Sequence, residues 1–84
     1  MKPEDLKELA AMLKRRLDTI ADADLREREP KRQLALLQEV SESIAAFHAR
    51  HRGAIPPRLN HFLENCSFQK ALEWAEAELA KGGA

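Results

Sequence analysis

The chain has 84 residues, which is enough for one domain and too few for two. Its 14 basic and 14 acidic side chains balance, so the net charge does not favour nucleic acid or an anionic membrane as a partner. A single cysteine excludes an internal disulfide framework, and no stretch approaches the ~20 apolar residues of a membrane span. The first residues lack the apolar region of a signal peptide. We therefore predict one cytoplasmic domain over residues 1–84.

The first main helix is predicted over about residues 4–23. Pro3 suits a first helical turn, and Glu4 and Asp5 complement the positive end of the helix dipole. The apolar positions recur every three or four residues, and some of them are spaced seven apart as in a coiled coil. They are Leu6, Leu9, Ala10, Leu13, Leu17 and Ile20.

The sequence leaves residues 24–29 undecided between a turn and an extra helical turn. Asp24 and Glu27 have the spacing of a capping box, with aspartate in place of serine or threonine. Pro30 is best placed in the first turn of the next helix, because proline lacks the N–H that later turns require.

The second main helix is predicted over about residues 30–51. Leu37, Val40, Ile44 and Phe47 are spaced three, four and three apart and share one face, which Leu34 and Leu36 widen on its flanks. A stripe this wide is typical of a helix covered by more than one neighbour. We therefore predict that the stretch 34–47 is the centre of the fold.

The remaining segments carry clear stop and start signals. Gly53 is a plausible helix stop, Pro56 and Pro57 block continuation, and Ser67 is a good N-cap. The elements predicted from these signals are a bend over 51–57, a short helix over about 57–65, a third main helix over about 67–81 and a disordered tail over 82–84.

Together these elements predict an all-α fold, an up-and-down bundle of three main helices with a short helix before the last one. The stretch SFQKALEWAEAEL, from Ser67 to Leu79, resembles the second helix of a tetratricopeptide repeat. The segment before it contains Pro56 and Pro57 in place of the long first helix of such a repeat. We therefore interpret the stretch as a single amphipathic helix.

One cluster of reactive side chains lies around the bend, and its residue types occur in metal and catalytic sites. His48, His51 and His61 with Cys66 supply ligand types that zinc accepts, but their spacing matches no established zinc pattern. Cys66 falls on the apolar side of the short helix, which favours a buried structural thiol over a nucleophile paired with His61. We therefore expect no cofactor, no metal and no enzymatic activity.

The arginines offer a second interpretation, a nucleic-acid-associated accessory protein. Arg50, Arg52 and Arg58 could contact phosphates around the bend. A second group of basic residues lies at the opposite end of the second main helix, about 30 Å away for a helix of this length. Its members are Arg26, Arg28, Lys31 and Arg32. Nucleic acid is therefore the alternative partner and not the favoured one.

The favoured function is a small protein-interaction or oligomerisation module, with a homodimer as the first expectation. With 14 alanines among the apolar residues, the core is thin, and self-association would hide further surface. Trp74 lies about a third of a turn off the apolar line of the last helix. This position suits two roles equally well, an interface anchor, since tryptophan is enriched at binding hot spots, and a side chain that covers the edge of the monomer core. Trp74→Ala is accordingly predicted to weaken self-association. The candidate interaction surface comprises Trp74, Ala71, Arg50, Arg52, Arg58, His48, His51 and His61.

Overall fold

The computed structural model describes residues 1–82, and the regular structure within them is entirely helical. The predicted all-α architecture of three main helices with a short helix before the last one is confirmed. The predicted helix limits agree to within about two residues, and Gly82, predicted as tail, is the last residue of α5. Residues 83 and 84 lie outside the described range. The helices are α1 (Pro3–Ala21), α2 (Ala23–Arg28), α3 (Pro30–Arg50), α4 (Pro57–Glu64) and α5 (Phe68–Gly82).

The segment between α1 and α3 is a short helix, α2, and not a turn. Asp22 ends α1 in an extended backbone conformation and caps α2, because its carboxylate accepts a 3.0 Å hydrogen bond from the N–H of Leu25. The capping box expected from Asp24 and Glu27 is therefore wrong, since the cap lies two residues earlier. Pro30 begins α3 as predicted.

The main helices run antiparallel around α1. The side-chain amide of Gln33 donates to the carbonyl of Thr19 (3.2 Å), and Arg50 donates to Glu8 (3.3 Å), so α3 descends along α1. The Arg16 guanidinium lies 4.6 Å from the ring centroid of Phe68, which places the start of α5 beside the C-terminal half of α1. This arrangement positions α1 between its two long neighbours.

The position of α1 corrects the expectation that stretch 34–47 is central. α1 packs against both α3 and α5, while α3 and α5 are not close neighbours of each other, and α4 packs on α5. Among residues 1–81, whose burial the structure describes, twelve apolar residues form the buried core. They are Leu6, Leu9 and Leu13 from α1, Val40, Ile44 and Phe47 from α3, Ile55 from the bend, Leu59 and Leu63 from α4, and Ala71, Leu72 and Ala75 from α5.

The bend after α3 is held by backbone geometry and one buried side chain. Gly53 has a φ of 90°, a conformation that side-chain-bearing residues rarely adopt. Ile55 is buried in the core, which fixes the bend against the bundle before Pro57 begins α4. The bend predicted over 51–57 is thus present.

Candidate interaction surfaces

The three histidines of the predicted cluster lie in separate environments. The Nε2–H of His48 donates to the Oδ1 of Asn60 at 2.6 Å, and this bond joins α3 to α4. The ring of His51 packs on Phe47 with centroids 4.2 Å apart, whereas His61 is exposed, with its Nδ1 3.3 Å from the amide nitrogen of Asn65. Within residues 1–82, no group of three or more His, Cys, Asp or Glu side chains is placed to hold a metal ion.

The His48–Asn60 bond is the start of a short polar chain at the edge of a cavity. The amide of Asn60 donates in turn to the carboxylate of Glu64 at 2.9 Å. A cavity of about 360 Å³ lies beside these groups. Arg52, Gly53, Ile55 and Pro57 complete its lining. These hydrogen bonds join α3 to α4 beside the bend. His48 and Arg52, which both belong to the predicted interaction surface, line the same cavity.

Cys66 is exposed, so the expectation of a buried thiol is wrong. α4 ends at Glu64, and Cys66 turns into the left-handed region with a φ of 55°. The N–H of Ser67 bonds the carbonyl of Phe62 (2.8 Å), and the N–H of Cys66 bonds that of Leu63 (3.2 Å). These two bonds form a Schellman motif, in which the position of Cys66 is normally taken by glycine.

Replacing this residue by glycine is therefore expected to stabilise the protein. Cys66→Gly removes the Cβ contact that strains a left-handed residue, and we expect a gain of about 0.5–1 kcal/mol in the free energy of unfolding. Cys66→Ala is the matched control, since it removes the thiol and keeps the strained Cβ. Urea unfolding of all three proteins measures the difference, and a glycine variant no more stable than the alanine variant would contradict the strain.

The three arginines of the predicted surface point to three different neighbourhoods. Arg50 is engaged by Glu8 and lies 5.7 Å from the ring centroid of Phe47. Arg52 lines the cavity beside His48, and Arg58 lines a different groove between α4 and α5. They do not form one continuous basic strip, which disfavours a phosphate backbone as their common ligand.

The groove between α4 and α5 contains the tryptophan that the sequence analysis singled out. It has a volume of about 450 Å³ and is lined by Arg58, Phe62, Lys70, Glu73 and Trp74, and we call it the Trp74 groove. Phe62 and Trp74 are half-buried and pack against the core from its outer side. Arg58, Lys70 and Glu73 are exposed at the rim.

Ala71 was predicted to be part of the interaction surface with Trp74, and this prediction is wrong. Its side chain is fully buried in the core, because it lies on the same side of α5 as Ala75 and faces the packed interior. The groove at Trp74 is therefore formed with α4, through Arg58 and Phe62, and not with Ala71.

A second apolar surface, which the sequence analysis assigned to the core, lies where α1, α2 and α3 meet. We call it the aliphatic end, and its leucines and isoleucine are not part of the buried core. The side chain of Leu34 is 66% exposed and that of Ile20 is 39% exposed, so the prediction that both contribute to the buried apolar faces of their helices is wrong. Its members are Ile20, Leu25, Leu34, Leu36 and Leu37.

The aliphatic end is exposed because the helices around α1 do not extend equally far. Gln33 lies at the level of Thr19, whereas α5 begins near Arg16, so the first turns of α3 extend past the start of α5. Only α1 and the short α2 cover α3 at this level. The sequence signal was the unusual width of the stripe from Leu34 to Leu37, which exceeds what one neighbouring helix can cover.

Comparison with family models, with curated proteins and with solved structures finds no match to this chain. Among the helices of residues 1–82, none combines the length and the apolar character needed to cross a membrane.

Proposed function

We propose that this protein is a small, non-enzymatic helical module that acts by binding protein, and that it associates with itself as a dimer through the aliphatic end. The observation that carries the proposal is the exposure of Leu34 and Ile20 at the end of the bundle where α3 extends past the start of α5. Apolar groups grouped in this way on a surface are typical of interaction sites. The single cysteine suits a reducing compartment, so the cytoplasm is part of the proposal.

A second copy of the chain suits this surface because of its charge. Asp24 and Glu27 lie beside it together with Arg28 and Lys31, so both signs are present. In a two-fold contact each patch meets itself, and a patch of one sign would repel its copy. A patch with mixed signs can instead place acidic groups opposite basic ones.

The helix arrangement supports the same partner. At the aliphatic end, α1 and α3 form an antiparallel pair without α5 beside them. Two such pairs related by a two-fold axis would produce a local four-helix packing, in which each pair covers the other. This packing would also bury further apolar surface in a chain of only 84 residues.

The proposal is tested by measuring the mass in solution. The chain has a mass of 9.5 kDa, and sedimentation velocity over a wide concentration range is expected to show a species of twice that mass. Leu34→Glu places a charge in the contact and is expected to weaken association by about 100-fold or more, corresponding to about 3 kcal/mol.

Ala46→Glu is the matched control, because it adds the same charge to an exposed position of α3 outside the aliphatic end. It is expected to leave the association constant unchanged within about twofold. A wild-type protein that stays monomeric at the highest concentration, or a Leu34→Glu variant that dimerises like the control, would remove the proposal.

A further inference from the structure

The Trp74 groove has a chemical character of its own, distinct from the aliphatic end. Its floor is aromatic, from Phe62 and Trp74, and its rim carries the cations Arg58 and Lys70 and the carboxylate Glu73. Neither cation forms an ion pair within the part of the chain that the structure describes. Arg58 is also not stacked on Trp74, in contrast to Arg16 on Phe68 and Arg50 on Phe47. An apolar floor is thus combined with two unpaired positive charges.

The topology of the two helices distributes these groups along the groove. Arg58 and Phe62 are four residues apart on α4, and Lys70 and Trp74 are four apart on α5, so each pair lies on one helix face. Residues 65–67 connect the helices, which pack side by side. Phe62 and Lys70 therefore lie nearer the connection, and Arg58 and Trp74 lie farther from it. A cation stands near each end, about 6 Å apart along the helix axes.

We infer that the Trp74 groove is a docking site for an acidic amphipathic helix of another protein. Charge complementarity selects this occupant, because carboxylates on such a helix can reach Arg58 and Lys70 while apolar side chains of the same face contact Phe62 and Trp74. Glu73 adds one negative charge to the rim and disfavours a polyanion with a continuous phosphate backbone.

The test uses Trp74 as its own reporter, since it is the only tryptophan and the chain contains no tyrosine. The probe is a capped helical peptide with leucine and glutamate on one face, at spacings of three and four residues. We expect saturable binding that changes the Trp74 emission, and we expect none with a matched peptide that carries glutamine in place of glutamate. The titration is made in Leu34→Glu as well as in the wild type, so that failure of self-association and failure of this inference are separated.

Variants identify the groups that bind. Arg58→Gln and Lys70→Gln are each expected to weaken binding by about threefold, and the double variant by about tenfold, as for exposed ion pairs. Arg28→Gln removes an exposed cation of α2 that does not line the groove and is expected to leave binding unchanged. With a fluorescently labelled peptide, Trp74→Ala is expected to weaken binding by about 30-fold or more, whereas Trp74→Phe retains most of it.

Several results would overturn the inference. Absence of saturable peptide binding up to about 1 mM would remove the groove as a docking site for this class of partner. Equal binding of the glutamine peptide would remove the charge selection. Tight binding of a single-stranded oligonucleotide, with the same dependence on Arg58 and Trp74, would assign the groove to nucleic acid. A Trp74 emission that depends on protein concentration would assign the groove to a second copy of the chain. That outcome would agree with the prediction that Trp74→Ala weakens self-association.

Discussion

Ile44→Asp is expected to abolish the cooperative unfolding transition of this protein. The Ile44 side chain is only 3% exposed and packs with Val40 and Phe47 against α1. A carboxylate at this position has no partner in the apolar core, and burying it costs several kcal/mol even if the group takes up a proton. A domain of this size has a total stability of roughly 5–10 kcal/mol, so the substitution consumes most of it.

The measurement is a thermal melt followed by far-ultraviolet circular dichroism, with Ala45→Asp as the matched control. Ala45 is the next residue along α3 and is exposed, so aspartate there costs about 0.6 kcal/mol from helix propensity alone. The control is expected to melt cooperatively a few degrees below the wild type. A cooperative melt of Ile44→Asp near the wild-type temperature would show that Ile44 is not in the core.

Leu13→Ala is expected to produce the second large effect, a loss of about 2–5 kcal/mol in the free energy of unfolding. Leu13 is fully buried on α1, which packs against both α3 and α5. Removing three carbon atoms leaves a cavity between two helix interfaces, and such a site relaxes poorly. Urea unfolding measures the loss.

The matched control is Leu34→Ala, the same substitution on a side chain that is 66% exposed. It is expected to cost less than about 0.5 kcal/mol when measured at a concentration too low for association to contribute. Equal losses in the two variants would show that α1 and the first turns of α3 contribute equally to the core, contrary to the structure.

The helices themselves were largely predictable from sequence because their signals are local. Pro30 and Pro57 each begin a helix, and the spacing from Val40 to Phe47 identifies the buried face of α3. The central helix was not predictable, because periodicity records which residues are apolar and not how far the neighbouring helices extend. Leu34 continues the apolar stripe in sequence, yet it is exposed. The reason is that α5 begins beside Arg16, before the C-terminal end of α1, and does not extend as far as Leu34.

The surfaces were predictable only in part, for a similar reason. Trp74 and Arg58 were both candidates, but their common groove depends on the pairing of α4 with α5, which no local pattern encodes. Cys66 was assigned to the apolar side of α4 by extending the helical period beyond Glu64. The left-handed turn at Cys66 breaks that period, and the side chain points to solvent instead.

The order of the helices along the chain has a consequence for biosynthesis. Among the described helices, α1 is translated before both of its main packing partners, and one of these partners, α5, is translated last. At elongation rates of about 5–20 residues per second, the leucines of α1 stay incompletely covered for several seconds. The nascent chain can pair α1 with α3 early, but it completes its fold only after release of α5. Slow translation of the stretch between α3 and α5 would lengthen the period in which chaperones can bind these leucines.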